Sequence, residues 1–126
     1  MTELMRLHES QVTAEQIDTL GHMNVRYYVE RMTLANEKLL SKLGIELAEG
    51  QILRRTDTYT RFLREQFEGA TLVTLGGLII NQEAIGTAGI HAYFEIRNAG
   101  TDDIAACFIV TSNVVNEDRS EEHTSE

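Results

Sequence analysis

Residues 24–44 read NVRYYVERMTLANEKLLSKLG, and this stretch decides the fold. Asn24 suits the N-cap of a helix, because its side-chain oxygen can accept a hydrogen bond from a free backbone N–H. Gly44 suits the position just after the last turn. The pattern predicts one helix of about 20 residues over positions 24–43, about 30 Å long. Its apolar face recurs at three- and four-residue steps: Val25, Tyr28, Val29, Met32, Ala35, Leu39, Leu40 and Leu43.

Strand patterns occupy the rest of the chain. A first strand is predicted within residues 4–17, with a short turn at residues 14–16. Gly76 and Gly77 interrupt a later apolar run, which indicates a bulge or the close approach of another backbone. The later strands are predicted over residues 56–62, 70–80, 85–97 and 104–115, with turns at residues 66–69, 81–83 and 98–103.

The order of these elements predicts an α+β fold. One helix must bury its apolar face, and a sheet of strands joined by hairpins is the surface available to it. We therefore expect one long central helix wrapped by a curved antiparallel β-sheet, in a single domain over residues 1–118.

Composition argues against several classes of function. The 126 residues carry a formal net charge of −9, so nucleic acid is not an expected partner, because phosphate binding needs a basic surface. No run approaches the roughly 18 apolar residues of a membrane span. The N-terminus lacks an apolar signal segment, and the single cysteine, Cys107, allows no intrachain disulfide. Both observations favour a cytoplasmic protein.

The last eight residues, RSEEHTSE at positions 119–126, resemble the translation of a common sequencing adapter. We expect this tail to be non-native, so that the natural C-terminus is lost. It is expected to take no part in the fold, and His123 is not expected to be a ligand.

The segment before the helix, residues 17–24, reads IDTLGHMN and concentrates chemical groups. Asp18 can take a proton from water or attack a carbonyl, although an Asp before a helix is more often a turn or cap residue. His22 lies where backbone N–H groups lack helical partners, and such groups suit a polarised carbonyl. Gly21 lets a ligand approach the backbone. His22 and Asn24 can equally serve only as caps.

Glu65 is a candidate from outside this loop. A Glu in a polar segment is solvated by default, and Glu65 becomes interesting only if the sheet brings it to Asp18. On the helix, Glu30 and Arg31 could form a structural pair. An anionic ligand could meet a local basic patch, formed by Arg54, Arg55, Arg61 and Arg64.

Several motifs are absent from the sequence. No Gly-x-Gly-x-x-Gly or phosphate loop supports nucleotide chemistry. The histidines at positions 8, 22 and 91 lack paired ligand spacing, so neither a metal site nor a cofactor is expected. No Ser and His arrangement fits a nucleophile elbow.

Residues 18–28, DTLGHMNVRYY, closely resemble the acidic loop and helix start of hotdog-fold thioesterases, in the group of 4-hydroxybenzoyl-CoA thioesterase-like and acyl-ACP thioesterase-like proteins. The shared pattern is an Asp, then Gly-His-x-Asn, then a helix that begins near an aromatic residue. The order of elements agrees over residues 5–117. The resemblance implies a hotdog fold, a homodimer or homotetramer with its sites at the subunit interface, and hydrolysis of an acyl-CoA or acyl-carrier-protein thioester to free acid and thiol.

The resemblance also assigns roles within the site. Asp18, with Glu65 as its partner, activates water or attacks the thioester directly. The backbone from Gly21 to Met23 polarises the carbonyl, while the His and Asn of the loop orient water and substrate. The expected residues are Asp18, His22, Asn24 and Glu65 for catalysis, and Gly21, Met23 and Arg64 for substrate binding.

Two other functions share this fold. A hotdog hydratase or dehydratase typically carries Asp-x-Asn-Pro-x-His. Here Leu20 takes the Asn position, one residue fewer separates Asp18 from His22, and the chain has no proline. A non-catalytic acyl-CoA-binding module uses the same loop, but no DNA-binding segment supports a regulator.

Overall fold

The computed structural model describes residues 3–79 and 89–116 and places one helix against a five-stranded antiparallel sheet. The sheet order is β1-β3-β4-β5-β2. The expected α+β hotdog arrangement is confirmed. The elements are β1 (Met5–Gln11), a short 3-10 turn (Ala14–Gln16), α1 (Val25–Lys42), β2 (Gln51–Phe62), β3 (Thr71–Leu78), β4 (Ile90–Asn98) and β5 (Ile104–Asn116).

Helix α1 begins and ends at the predicted signals. The Asn24 side-chain Oδ1 accepts a hydrogen bond from the Arg26 N–H at 3.0 Å, which satisfies one of the free donors of the first turn. After the helix, Gly44 has a φ of 77°, a left-handed conformation that glycine adopts without a Cβ penalty. Both predicted caps are confirmed.

The apolar face of α1 packs chiefly on β1, β3 and β4. The middle of this layer excludes solvent entirely, and burying one such apolar side chain is worth roughly 1.5–3 kcal/mol relative to leaving it exposed. This layer is therefore the main source of stability. Its fully buried members include Met32, Ala35 and Leu39 of the helix and Phe94, Ile96 and Phe108 of the sheet.

Gly76 and Gly77 pair regularly with β4, since the register between β3 and β4 runs unbroken through both glycines. The nearby register shift lies in β1, between Arg6 and His8. A Cβ on Gly76 would overlap the Phe94 ring and lie 2.8 Å from the Tyr93 carbonyl oxygen. Gly76 is therefore explained by the close approach of β4.

The first strand lies within the predicted stretch, at Met5–Gln11, and the 3-10 turn falls on the predicted residues 14–16. One strand boundary differs from the prediction. β2 begins at Gln51 rather than residue 56, because its first residues pair with the end of β5, from Gln51 opposite Asn116. The predicted turn at residues 81–83, adjoining parts of two predicted strands and the tail at residues 119–126 lie outside the described residues.

β2 forms one edge of the sheet. Most of its side chains are exposed, unlike those of β3 and β4. The large side chains of Tyr59 and Phe62 keep about half of their surface open, at 57% and 49%. The helix therefore leaves β2 largely uncovered, and a cleft opens at its end.

Candidate functional site

The cleft lies at the N-terminal end of α1, between the loop of residues 17–24 and the segment of residues 63–67 that follows β2. Its volume of about 840 Å³ suits a small-molecule ligand. Aromatic side chains of Tyr28, Phe62 and Phe67 line part of it. Five of the seven predicted site residues also line it, namely Asp18, His22, Met23, Arg64 and Glu65. The other two, Gly21 and Asn24, are not in its wall.

Asp18 is half-buried, and its own loop holds it in place. Its Oδ1 accepts a hydrogen bond from the Leu20 N–H at 2.9 Å, which is the turn role that Asp commonly has. The Asp18 N–H donates to the His22 carbonyl at 2.9 Å, and the Asp18 carbonyl accepts from the Gly21 N–H at 3.1 Å. No donor among the described residues bonds the second carboxylate oxygen, Oδ2. Asp18 is thus a turn residue that keeps one oxygen for a ligand.

Glu65 reaches the Asp18 loop through His22. The Glu65 Oε2 lies 3.4 Å from the His22 Nε2, although the Glu65 side chain is 65% exposed. The His22 ring also contacts Phe67 edge-on, with centroids 6.1 Å apart. The condition that the sequence set for Glu65 is therefore met, since tertiary structure brings it into the wall of the same cleft.

The backbone of the loop offers fewer donors than expected. Gly21 donates its N–H to Asp18, and Met23 donates its N–H to the Gln66 carbonyl at 2.8 Å. Both N–H groups are bonded within the protein rather than open to a bound carbonyl. The His22 and Thr19 N–H groups bond no acceptor among the described residues. Of these two residues, His22 lines the cleft.

Gly21 and Asn24 have local structural tasks. Gly21 has a φ of 91°, a conformation that favours glycine, and a Cβ placed there would meet nothing within 4 Å. Asn24 caps the helix with its side-chain oxygen, and its backbone N–H donates to the Gln16 carbonyl at 2.8 Å. The Asn24 oxygen is therefore occupied within the protein.

Gln66 belongs to the site, although the sequence predicted only a turn at this position. It is 4% exposed, and its carbonyl accepts the Met23 N–H. Its side-chain Oε1 accepts a hydrogen bond from Asn98 Nδ2 at 2.9 Å. Gln66 thereby joins the Glu65 segment both to the Asp18 loop and to the end of β4. A buried amide in a loop has no periodic signal, so only its partners identify it.

Tyr28 lines the cleft from α1. Its O–H donates to the Arg64 carbonyl at 3.4 Å, and its ring packs edge-on against Phe62, with centroids 5.4 Å apart. Burial raises the pKa of Tyr28 above its ordinary value. The phenol is therefore a neutral hydroxyl at neutral pH.

The four arginines at positions 54, 55, 61 and 64 do not form the single basic patch that the sequence allowed. Arg55 lies on the helix side, with its Nη1 3.8 Å from the Met32 sulfur. Arg61 pairs with Cys107, one residue away in β5 from the buried Phe108, and so lies on the opposite face. At the cleft, the Arg64 Nε lies 3.8 Å from Asp103 Oδ2. Arg64 alone of the four arginines lines the cleft.

Within residues 3–79 and 89–116, no three or more His, Cys, Asp or Glu side chains form a group that could hold a metal ion. In the same part of the chain, no helix has the length and apolar character to cross a membrane.

Comparison with known families gives one match that covers most of the chain. Residues 12–124 match the model of the thioesterase-like superfamily. No curated protein matches the sequence.

Many solved structures share the fold. A DHNA-CoA thioesterase from Staphylococcus aureus superposes with a TM-score of 0.75 at 18% identity, covering 88% of this chain and 74% of the other. A second protein from the same organism, solved in complex with CoA, gives a TM-score of 0.72 at 17% identity and covers 94% and 75%. A 12:0-ACP thioesterase from Umbellularia californica gives a TM-score of 0.74 at 14% identity, covering 90% of this chain and 43% of the other.

The cap role of Asn24 can be separated from a role in chemistry. Because its side-chain oxygen is bonded to the Arg26 N–H, we expect Asn24→Ala to lower the free energy of unfolding by about 1 kcal/mol. Asn24→Asp keeps the cap acceptor and should unfold close to the wild type. Urea denaturation of the three proteins measures this. Equal stability of the Ala variant and the wild type would show that the cap contributes nothing.

Proposed function

This chain belongs to the thioesterase-like superfamily and is a thioester hydrolase, and we propose that its substrate is an acyl-CoA bound in the cleft between Asp18 and Glu65. The observation that carries the proposal is the meeting of two carboxylates and an imidazole in one cleft with aromatic walls. Apolar walls exclude water from an acyl group, and carboxylates supply the base that hydrolysis needs.

We infer a reaction in which Asp18 acts through its unbonded Oδ2. This oxygen takes a proton from a water molecule, and the water oxygen bonds to the thioester carbonyl carbon. The His22 N–H donates to the carbonyl oxygen as negative charge develops there. The tetrahedral intermediate then collapses, the C–S bond breaks, and the leaving sulfur takes the proton from Asp18. Free acid and thiol are the products.

Glu65 and His22 serve this step from the other side of the cleft. The contact between Glu65 Oε2 and His22 Nε2 holds the His22 side chain, and in our proposal this steadies the residue whose backbone N–H meets the carbonyl. His22 is thereby given an orienting role rather than that of the base. Arg64 lines the cleft, and its Nε lies as far as 3.8 Å from Asp103 Oδ2. Its guanidinium can therefore bind an anionic part of the substrate.

We favour CoA as the carrier of the acyl group, because one protein of similar fold was solved in complex with CoA. An acyl-carrier protein is the alternative, since another protein of similar fold is a 12:0-ACP thioesterase. A screen of short, long and aromatic acyl-CoAs, with acyl-carrier proteins beside them, decides between the two. Binding without release of thiol would indicate a non-catalytic module, and hydration of an enoyl-CoA would indicate a hydratase.

Asp18→Asn should lose most of the activity. Removing one essential group of such a site costs about 10²-fold or more in kcat, and the Asn side chain keeps the oxygen that bonds the Leu20 N–H. We therefore expect a folded protein whose kcat is at least about a hundredfold lower. The measurement is release of free CoA with a thiol reagent. Asp57→Asn, on β2 and away from the cleft wall, is the matched control. Turnover of Asp18→Asn at the wild-type rate would contradict the assignment of Asp18 as the general base.

Glu65→Gln tests the second carboxylate. The neutral amide weakens the contact with His22 Nε2, so we expect kcat to fall by about tenfold, less than the roughly 10²–10⁴-fold contribution of a general acid or base. Glu68→Gln changes an exposed Glu of the same segment and should stay within about twofold of the wild type. If both variants turn over alike, Glu65 takes no part in the reaction.

We also propose that the working form is a homodimer or homotetramer, as the resemblance to hotdog proteins implies. β2 lies at the sheet edge, and an edge strand presents backbone N–H and C=O groups that a second strand can pair. A second copy on this edge would also cover the exposed rings of Tyr59 and Phe62. Light scattering should give the mass of at least two chains, and the mass of a single chain at working concentration would contradict this proposal.

A further inference from the structure

Arg31 is a buried arginine that forms no ion pair with a carboxylate of the described residues. It is 2% exposed, and no Asp or Glu of the described residues lies within ion-pair distance of it. The pair with Glu30 that the sequence allowed does not form as an ion pair, because Glu30 is exposed while Arg31 is buried. Burial lowers the pKa of Arg31, and the Glu30 charge only opposes that shift from a distance. A buried charge is costly unless it is hydrogen-bonded. The hydrogen-bond partners of the Arg31 guanidinium therefore indicate its role.

The guanidinium bonds the chain on both sides of the Asp18 loop. Its Nη2 donates to Gln16 Oε1 at 3.0 Å and to the Gln11 carbonyl at 3.4 Å. Its Nη1 donates to the Tyr27 carbonyl at 3.1 Å and lies 3.2 Å from the Met23 sulfur. One planar group thus contacts the chain just before Asp18, just after His22, and the first turns of α1.

Met23 packs in the hydrophobic core and His22 contacts Glu65 and Phe67, but few other hydrogen bonds hold this loop to the body of the protein. The Met23 N–H bonds the Gln66 carbonyl, and the Asn24 N–H bonds the Gln16 carbonyl. The remaining loop bonds around Asp18 are internal to the loop. Gln16 is therefore held at two points, by Asn24 through its backbone and by Arg31 through its side chain.

We propose that Arg31 is a positioning residue, which fixes the loop of residues 17–23 so that Asp18 and the His22 N–H meet the thioester. This inference rests on the proposed function. Arg31 does not line the cleft and acts through the loop alone. The planar fork of arginine can bond several acceptors in fixed directions, which the single ammonium of lysine cannot do.

Kinetics give the first test. Arg31→Met keeps most of the side-chain volume and removes the donors. A misplacement of about 1 Å can cost on the order of 10²-fold in rate, so we expect kcat to fall about 10- to 100-fold, with a much smaller change in KM. Arg31→Lys should recover part of the loss. Arg26→Met is the matched control, because Arg26 is exposed on the same helix and packs on the Tyr27 ring; its turnover should stay within about twofold of the wild type.

A double-mutant cycle distinguishes positioning from a general loss of structure. If Arg31 acts through the Asp18 loop, Arg31→Met should cost clearly less in the Asp18→Asn background than in the wild type, because only the placement of the His22 N–H is then left to lose. An equal fold-loss in both backgrounds overturns the proposal. Gln16→Ala removes the side-chain acceptor of Arg31 Nη2 and should give a smaller fall in kcat. This variant provides the test if Arg31→Met does not fold.

Hydrogen exchange gives a test that needs no turnover. Release of the loop should speed exchange at the Asp18 and Met23 amides by about tenfold or more in Arg31→Met, while amides in the second half of α1 keep their protection. Faster exchange throughout the chain, or no change in the loop, overturns the proposal. A wild type that hydrolyses no acyl thioester would defeat the proposed function instead, and the exchange result would still show whether Arg31 holds the loop.

Discussion

Burial of one helical face against one sheet is the constraint on which the rest of this structure depends. α1 lies on β1, β3 and β4, and the centre of that layer excludes water. Because a single helix cannot cover five strands, β2 at the sheet edge stays exposed. The cleft forms where that uncovered strand ends, beside the N-terminus of the helix.

The site is built from two loops joined by a small number of hydrogen bonds. The Met23 N–H and the Gln66 carbonyl tie one loop to the other, and the Gln66 side chain ties that pair to β4 through Asn98. Each bond satisfies a polar group that would be costly to bury alone. The same bonds that stabilise the fold therefore set the positions of Asp18 and Glu65, so structural roles and the proposed catalytic roles coincide in this segment.

Several sequence predictions could be made because their signals are local. The helix, its caps Asn24 and Gly44, and the turn role of Asp18 follow from residue preferences that act over a few positions. The family also followed from a local motif, over about a dozen residues. Arg31 shows the limit of such reasoning, since neighbours at adjacent positions allowed a pair with Glu30 and the guanidinium instead bonds Gln16 and Gln11.

The sequence by itself determined the helix, the class of fold and the loop that carries Asp18, because periodicity and capping are properties of short stretches. Only the tertiary structure decided which polar groups remain available. It placed Glu65 against His22, occupied the N–H groups of Gly21 and Met23, and divided the arginines of β2 between two faces. The physical reason is that each hydrogen-bonding group is used by whichever partner folding brings near it, and those partners lie far away along the chain.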